Sequence, residues 1–87
     1  MSADRKDVTS FVVARFAKQT GQSEEALTQK LQSNYFAEAW VDSFTFVSFV
    51  SDAEEKFGIR FTHEDFQDVR FGTMLGLIET IVERSAK

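Results

Sequence analysis

Apolar residues recur at helical spacing near the start of the chain, between about Asp4 and Thr20. They are Val8, Phe11, Val12 and Phe16. Steps of three, one and four place these side chains on one face of a helix. Gly21 follows at a point where a glycine can end a helix in a left-handed turn. This pattern predicts a first helix over about residues 4–20.

A second stripe begins at Ser43 and continues to Phe57. Its apolar members are Phe46, Phe49, Val50, Ala53 and Phe57. The spacing again fits one helix face, and Gly58 follows as a stop signal. We therefore predict a helix over about residues 43–57, with Phe49 and Phe57 in the core.

The last stretch has helical spacing from about Gly72 to Arg84. One face holds Leu75, Ile78 and Val82, and beside it lie Met74, Leu77 and Ile81. Before it, Thr62 and Asp65 have the spacing of a capping box, which predicts a short helix that ends near Asp68. Val69 and Phe71 are expected to fill the turn between these two helices.

The connection from Gly21 to Val41 is too long for a structureless loop in a small domain. Ser23 is a plausible N-cap for a helical turn through Leu27. Four apolar residues are expected to anchor the rest to the core: Leu31, Tyr35, Phe36 and Trp40. The whole pattern predicts an all-α fold, a small antiparallel four-helix bundle of three main helices and one short helix. At 87 residues, the chain suits a single domain spanning residues 1–87.

Charge is unevenly distributed. The chain has 10 basic and 14 acidic residues, a net charge of −4. Residues 42–68 hold seven acidic and two basic side chains, so this segment has a net charge of −5 and the remainder +1. An acidic field disfavours nucleic acid and favours basic protein surfaces, although charges of this kind also occur as ordinary solvating residues.

Little in the sequence supports catalysis. There is no cysteine and only one histidine, His63. Without cysteine the chain has no thiol nucleophile, and a single histidine cannot form a convincing catalytic triad or a histidine-based metal site. His63 falls in the first turn of the predicted short helix, where we expect it to face solvent. The chain is therefore predicted not to be an enzyme and to hold no metal.

The remaining candidate is the pair Asp42-Ser43 at the start of the second long helix. Both residue types are common helix N-caps, so the pair alone indicates no function. It lies, however, in Trp40-Val41-Asp42-Ser43-Phe44. That segment is followed by Glu54-Glu55-Lys56-Phe57-Gly58-Ile59, by Phe61 and by Glu64-Asp65-Phe66. This combination resembles the acyl carrier protein family over about residues 35–83.

The resemblance implies that Ser43 bears a covalent 4′-phosphopantetheine arm derived from coenzyme A, and that Asp42 assists its attachment. It also implies a carrier function, in which the arm holds an acyl or aminoacyl group as a thioester. The implied partners are a phosphopantetheinyl transferase, an acyl-loading ligase, and acyltransferases or acyl-processing enzymes. The candidate docking residues are Phe44, Val47, Asp52, Glu54 and Glu55.

Several residues depart from the pattern of fatty-acid carriers. They are Trp40, Val41, Phe44, Thr45, Ser48, Arg60 and Thr62. The segment 40–43 is closer to D-alanyl carrier proteins and to carriers of specialised pathways, so we expect a specialised role. The alternative is a helical protein–protein interaction module that is never modified. In either case we expect a cytoplasmic monomer without a membrane span.

Overall fold

In the computed structural model, residues 4–85 are described. Three long helices, α1 (Arg5–Thr20), α3 (Ser43–Phe57) and α5 (Met74–Ser85), form the body of the molecule. Two five-residue helices, α2 (Glu24–Thr28) and α4 (His63–Gln67), and a 3₁₀ turn (Val69–Gly72) lie between them. The predicted all-α bundle is confirmed, and α2 is the helical turn expected in the long connection.

Local capping sets most helix ends. Asp4 caps α1, and the N–H of Gly21, at φ 78°, donates to the carbonyl of Ala17. Ser23 caps α2. Thr62 and Asp65 form the predicted capping box of α4, in which each side chain accepts a hydrogen bond from the other residue's backbone N–H. These ends agree with the sequence because caps depend on neighbouring residues only.

The last helix begins two residues later than predicted. Gly72 belongs to the 3₁₀ turn, where its carbonyl accepts a hydrogen bond from the N–H of Tyr35. Thr73 then acts as the cap, because its Oγ1 accepts from the N–H of Gly76 at 3.0 Å. The prediction that Gly72 opens the helix is wrong, since this residue is held by a segment distant in sequence.

The core lies between α1, α3 and α5. Its buried side chains include Val8, Val12, Phe16, Phe49, Val50, Leu77 and Ile81. On α5 the buried face is centred on Met74, Leu77, Ile78 and Ile81, while Leu75 and Val82 are half-buried. Aromatic rings join the layers: the Phe16 ring centroid lies 5.1 Å from that of Tyr35 and 5.8 Å from that of Phe49.

Three predictions about apolar residues need correction. Val69 is 89% exposed, so it does not fill the turn; Phe71 alone does. Phe36 is 45% exposed and only partly anchors the connection. Phe57 is half-buried rather than fully enclosed, because it lies at the end of α3, where it packs against Phe11 at a ring-centroid distance of 5.3 Å.

Candidate functional site

Ser43 is the first residue of α3 and is exposed to solvent. Asp42, in extended backbone geometry, is the N-cap of the helix. Its Oδ1 accepts a hydrogen bond from the N–H of Thr45 at 2.8 Å, and its carbonyl accepts one from the N–H of Phe46 at 2.9 Å. The helix therefore begins where the sequence predicted, and the hydroxyl of Ser43 lies at its positive end.

The carboxylate of Asp42 is stabilised in its charged form. The hydrogen bond from the backbone N–H of Thr45, with a further one from the Thr45 side chain, lowers the pKa of Asp42 below its ordinary value. The side chain is exposed, so it remains available to groups that approach from solvent. Asp42 thus holds a negative charge next to the Ser43 hydroxyl at neutral pH.

The loop before Asp42 is fixed by Tyr35. Tyr35 is fully buried, and its hydroxyl donates to the carbonyl of Phe71. Burial raises its pKa, so the phenol stays protonated at neutral pH. The carbonyl of Tyr35 accepts from the N–H of Trp40 at 2.9 Å, and Ala39 between them adopts a left-handed conformation with φ 59°. This hydrogen-bonded turn sets the direction in which the backbone enters Asp42.

Two apolar candidates flank Ser43 in the first turns of α3. Phe44 is 84% exposed and Val47 is 65% exposed. Side chains three or four residues apart share one helix face, so Val47 lies on the same face as both Ser43 and Phe44. The structure therefore places both predicted apolar docking residues beside the serine, with large exposed surfaces.

The acidic docking candidates lie farther along the same helix. Asp52 is nine residues after Ser43, about 14 Å along the axis, and forms an ion pair with Arg15 at 2.5 Å. Glu54 is half-buried and accepts a hydrogen bond from the N–H of Phe61 at 2.9 Å. Glu55 is exposed. Of these three residues, Asp52 and Glu54 therefore also have contacts within the fold.

His63 lies at the surface, as predicted. Its Nε2 is 3.2 Å from Nε2 of Gln67, one turn along α4. Within residues 4–85, the structure contains no cluster of three or more histidine and acidic side chains suited to a metal ion.

One contact between α4 and α5 could not be predicted from the sequence. Asp65 of α4 accepts two hydrogen bonds from the guanidinium of Arg84, one of them from Nε at 3.0 Å. The Arg84 hydrogen bond lowers the pKa of Asp65 below its ordinary value. The pair joins α4 to the end of α5 across 19 residues of sequence, and no local sequence pattern predicts it.

Comparison with known families identifies the family to which the chain belongs. A family model described as the phosphopantetheine attachment site matches residues 10–81, most of the chain. The chain belongs to this phosphopantetheine-binding family. Searches of curated proteins and of solved structures gave no significant match.

Members of this family bear a covalently attached 4′-phosphopantetheine, and the chain is therefore a phosphopantetheine carrier domain. Domains of this kind are typically non-catalytic and interact with a phosphopantetheinyl transferase and with processing enzymes. In the part of the chain that the structure describes, no helix is both long and apolar enough to cross a membrane.

Proposed function

We propose that Ser43 is the residue that bears the phosphopantetheine arm, and that the chain presents an acyl or aminoacyl group to partner enzymes without performing catalysis itself. The observation that supports this most directly is the exposed hydroxyl at the first position of α3, behind the Asp42 cap and inside the matched region. The terminal thiol of the arm supplies the thioester chemistry, so the chain needs no cysteine of its own.

The residues present fit such an arm. Unpaired backbone N–H groups and the helix dipole at the start of α3 favour a phosphodiester on Ser43. Asp42 has a lowered pKa and faces solvent, so it can help to position the magnesium ion that the transferase uses. A free thiol on the arm is best preserved in a reducing compartment, which supports a cytoplasmic location.

We further propose that partners dock on the exposed face of α3. Phe44 and Val47 would form its apolar centre, because their exposed surfaces flank Ser43. Asp52, Glu54 and Glu55 would contribute negative charge. Glu55 is the most available of the three, since Asp52 is paired with Arg15 and Glu54 is bonded to the Phe61 N–H. The partners would be the transferase, a loading ligase and one or more acyltransferases.

A specialised pathway suits this surface better than bulk fatty-acid synthesis. Ser48 and Arg60 are exposed, and they replace acidic residues that fatty-acid carriers often have at these positions. Each missing rim charge weakens contact with a basic partner by about 0.5–1 kcal/mol. We expect ready attachment of the arm but slow turnover by a housekeeping elongation system, compared with an ordinary fatty-acid carrier in the same assay.

The attachment assay uses coenzyme A and a broad-specificity transferase, with intact mass as the readout. The wild-type chain is expected to gain one phosphopantetheine, and Ser43→Ala is expected to gain none while keeping its helical circular dichroism. An unmodified wild-type chain would instead favour the interaction-module alternative. Modification of Ser43→Ala would contradict the assignment of the site.

Two variants of Asp42 separate its capping role from its role in attachment. Asparagine is an equally good N-cap, so Asp42→Asn should leave stability almost unchanged while slowing attachment. Asp42→Ala should slow attachment and also lower the urea midpoint, because alanine cannot cap the helix. Equal attachment rates for wild type and Asp42→Asn would show that the charge of Asp42 has no part in the reaction.

A further inference from the structure

An aromatic groove lies between the 34–36 segment, Phe46 of α3 and the 66–72 segment. Its walls are the rings of Phe36, Phe46, Phe66 and Phe71, and Asn34, Asp68, Val69 and Gly72 complete the rim. Its volume is about 280 Å³, and it is open to solvent. Phe36 and Phe66 both line it and are 45% and 47% exposed, so neither ring is enclosed by the fold. We call this feature the phenylalanine groove.

The groove begins one helical turn from Ser43. Phe46 is three residues after Ser43, and residues at this spacing are neighbours on a helix surface. The Phe46 ring forms one wall, with centroid distances of 5.2 Å to Phe36 and 6.4 Å to Phe66. A group tethered to Ser43 therefore moves in the immediate vicinity of the groove, at an effective concentration in the millimolar range. At that concentration, even a weak site becomes occupied.

The rings of the groove pack closely against one another and against Phe61 beneath them. Phe71 contacts Phe46, Phe61 and Phe66 at centroid distances of 5.8, 5.2 and 5.3 Å, all nearly edge-to-face. On the other side of α3, the recess between α1 and α3 measures only about 20 Å³, which is room for about one water molecule and not for an alkyl chain. A long alkyl chain could enter between the helices only by displacing this packing, and close-packed interiors resist such displacement.

The shape and lining of the groove match a flat ring better than a flexible chain. Aromatic rings attract one another in edge-to-face and offset arrangements, and three of the four rings, Phe46, Phe66 and Phe71, already meet one another edge-to-face. A planar guest extends this arrangement and loses little conformational entropy, whereas an alkyl chain loses rotamer freedom on ordering. The lining includes no basic side chain that could hold an anionic guest, and its one carboxylate, Asp68, is paired with Arg70 at 3.3 Å.

We propose that the phenylalanine groove binds an uncharged aromatic acyl group held on the arm of Ser43. This rests on the proposed function and specifies the class of cargo: a short thioester that ends in an aromatic ring, bound at the surface beside α3 rather than within the bundle.

The test compares three forms of the full chain, loaded by a broad-specificity transferase with acetyl-, octanoyl- or phenylacetyl-phosphopantetheine. Intact mass first establishes loading, and failure at that step counts against the proposed function alone. Amide chemical shifts are then compared with those of the acetyl form. The phenylacetyl form should show shifts confined to residues 34–36, 46 and 66–72 and a higher melting temperature, and the octanoyl form should show little of either.

Two matched variants control for the ring chemistry. Phe66→Leu removes one wall of the groove but keeps an apolar side chain at a half-exposed position, and it should abolish the phenylacetyl-specific shifts. Phe57→Leu changes a half-buried ring that lies outside both the groove lining and the proposed docking face, and it should leave them unchanged. The phenylacetyl thioester of N-acetylcysteamine, titrated in the millimolar range onto the unmodified chain, should shift the same amides even if loading fails.

Two outcomes would overturn the proposal. Octanoyl-dependent shifts centred on buried residues such as Ile59 and Leu77 would show that the bundle opens to a chain. Absence of phenylacetyl-dependent shifts at the groove, both on the arm and in titration, would show that the groove does not bind an aromatic acyl group.

Discussion

Replacing Gly76 with alanine should destabilise the protein far more than its helical position suggests. A Cβ atom at residue 76 would lie 1.6 Å from the carbonyl oxygen of Arg70 and 2.4 Å from its carbonyl carbon. Both are backbone atoms of the 3₁₀ turn, so no side-chain rotation can relieve the clash. The turn would have to move by about 2 Å to restore an ordinary contact.

That movement acts on hydrogen bonds that hold the turn in place. The N–H of Tyr35 donates to Gly72 at 3.1 Å, the N–H of Thr73 donates to Arg70 at 3.2 Å, and the Tyr35 hydroxyl donates to Phe71. The three hydrogen bonds are worth about 1 kcal/mol each, and strain in the displaced turn adds about 1 kcal/mol. The better helix propensity of alanine returns about 1 kcal/mol, so the net loss is about 3 kcal/mol.

A urea titration followed by circular dichroism measures this loss. Gly58→Ala is the matched control, because no atom lies within 4 Å of its added Cβ and only its φ of 63° opposes the change. That variant should lose about 1–2 kcal/mol. A loss below about 1 kcal/mol for Gly76→Ala, or a smaller loss than for Gly58→Ala, would refute the reasoning.

Two further predictions concern packing and pH. Phe49→Ala should lower the free energy of unfolding by about 3–5 kcal/mol, because its ring is buried. Phe57→Ala should lower it by only about 2 kcal/mol, because its ring is half-buried. Equal losses in urea titrations would mean that the burial of the two rings is misassigned. Asp65→Asn should cost about 2 kcal/mol near pH 7, because it breaks the pair with Arg84. The pKa of Asp65 is lowered in the folded state, so the wild-type advantage is present above the unfolded pKa, about 3.9, and is lost as pH falls through the lower folded value. The difference between the two urea midpoints should therefore shrink between pH 6 and pH 3, and a constant difference would contradict the ion-pair account.

Much of the fold was predictable because its signals are local. The stripe on α3 and the Thr62–Asp65 capping box depend on residues within one or two turns. The start of α3 at Ser43 follows from the Asp42 cap in the same way. The candidate site was therefore predicted in position, although the role of Ser43 depended on the family resemblance rather than on geometry.

The rest depends on contacts that join distant segments. Valine is common in protein cores, but Val69 lies on the outer, exposed side of the 3₁₀ turn, and Phe71 lies on the inner, buried side. Gly76 reads in sequence as a weak helix residue, and only the approach of the Arg70 carbonyl shows why glycine is needed. The left-handed conformation of Ala39 could likewise not be predicted from the sequence, because alanine does not favour it.

The most direct test of the account is the site of the arm on protein purified from its native host. Fragmentation mass spectrometry of the proteolysed chain should find phosphopantetheine, or its acyl thioester, on the peptide that contains Ser43, with fragment ions that assign it to that residue. Native protein without any arm, or an arm assigned to another serine such as Ser48, would contradict the central claim.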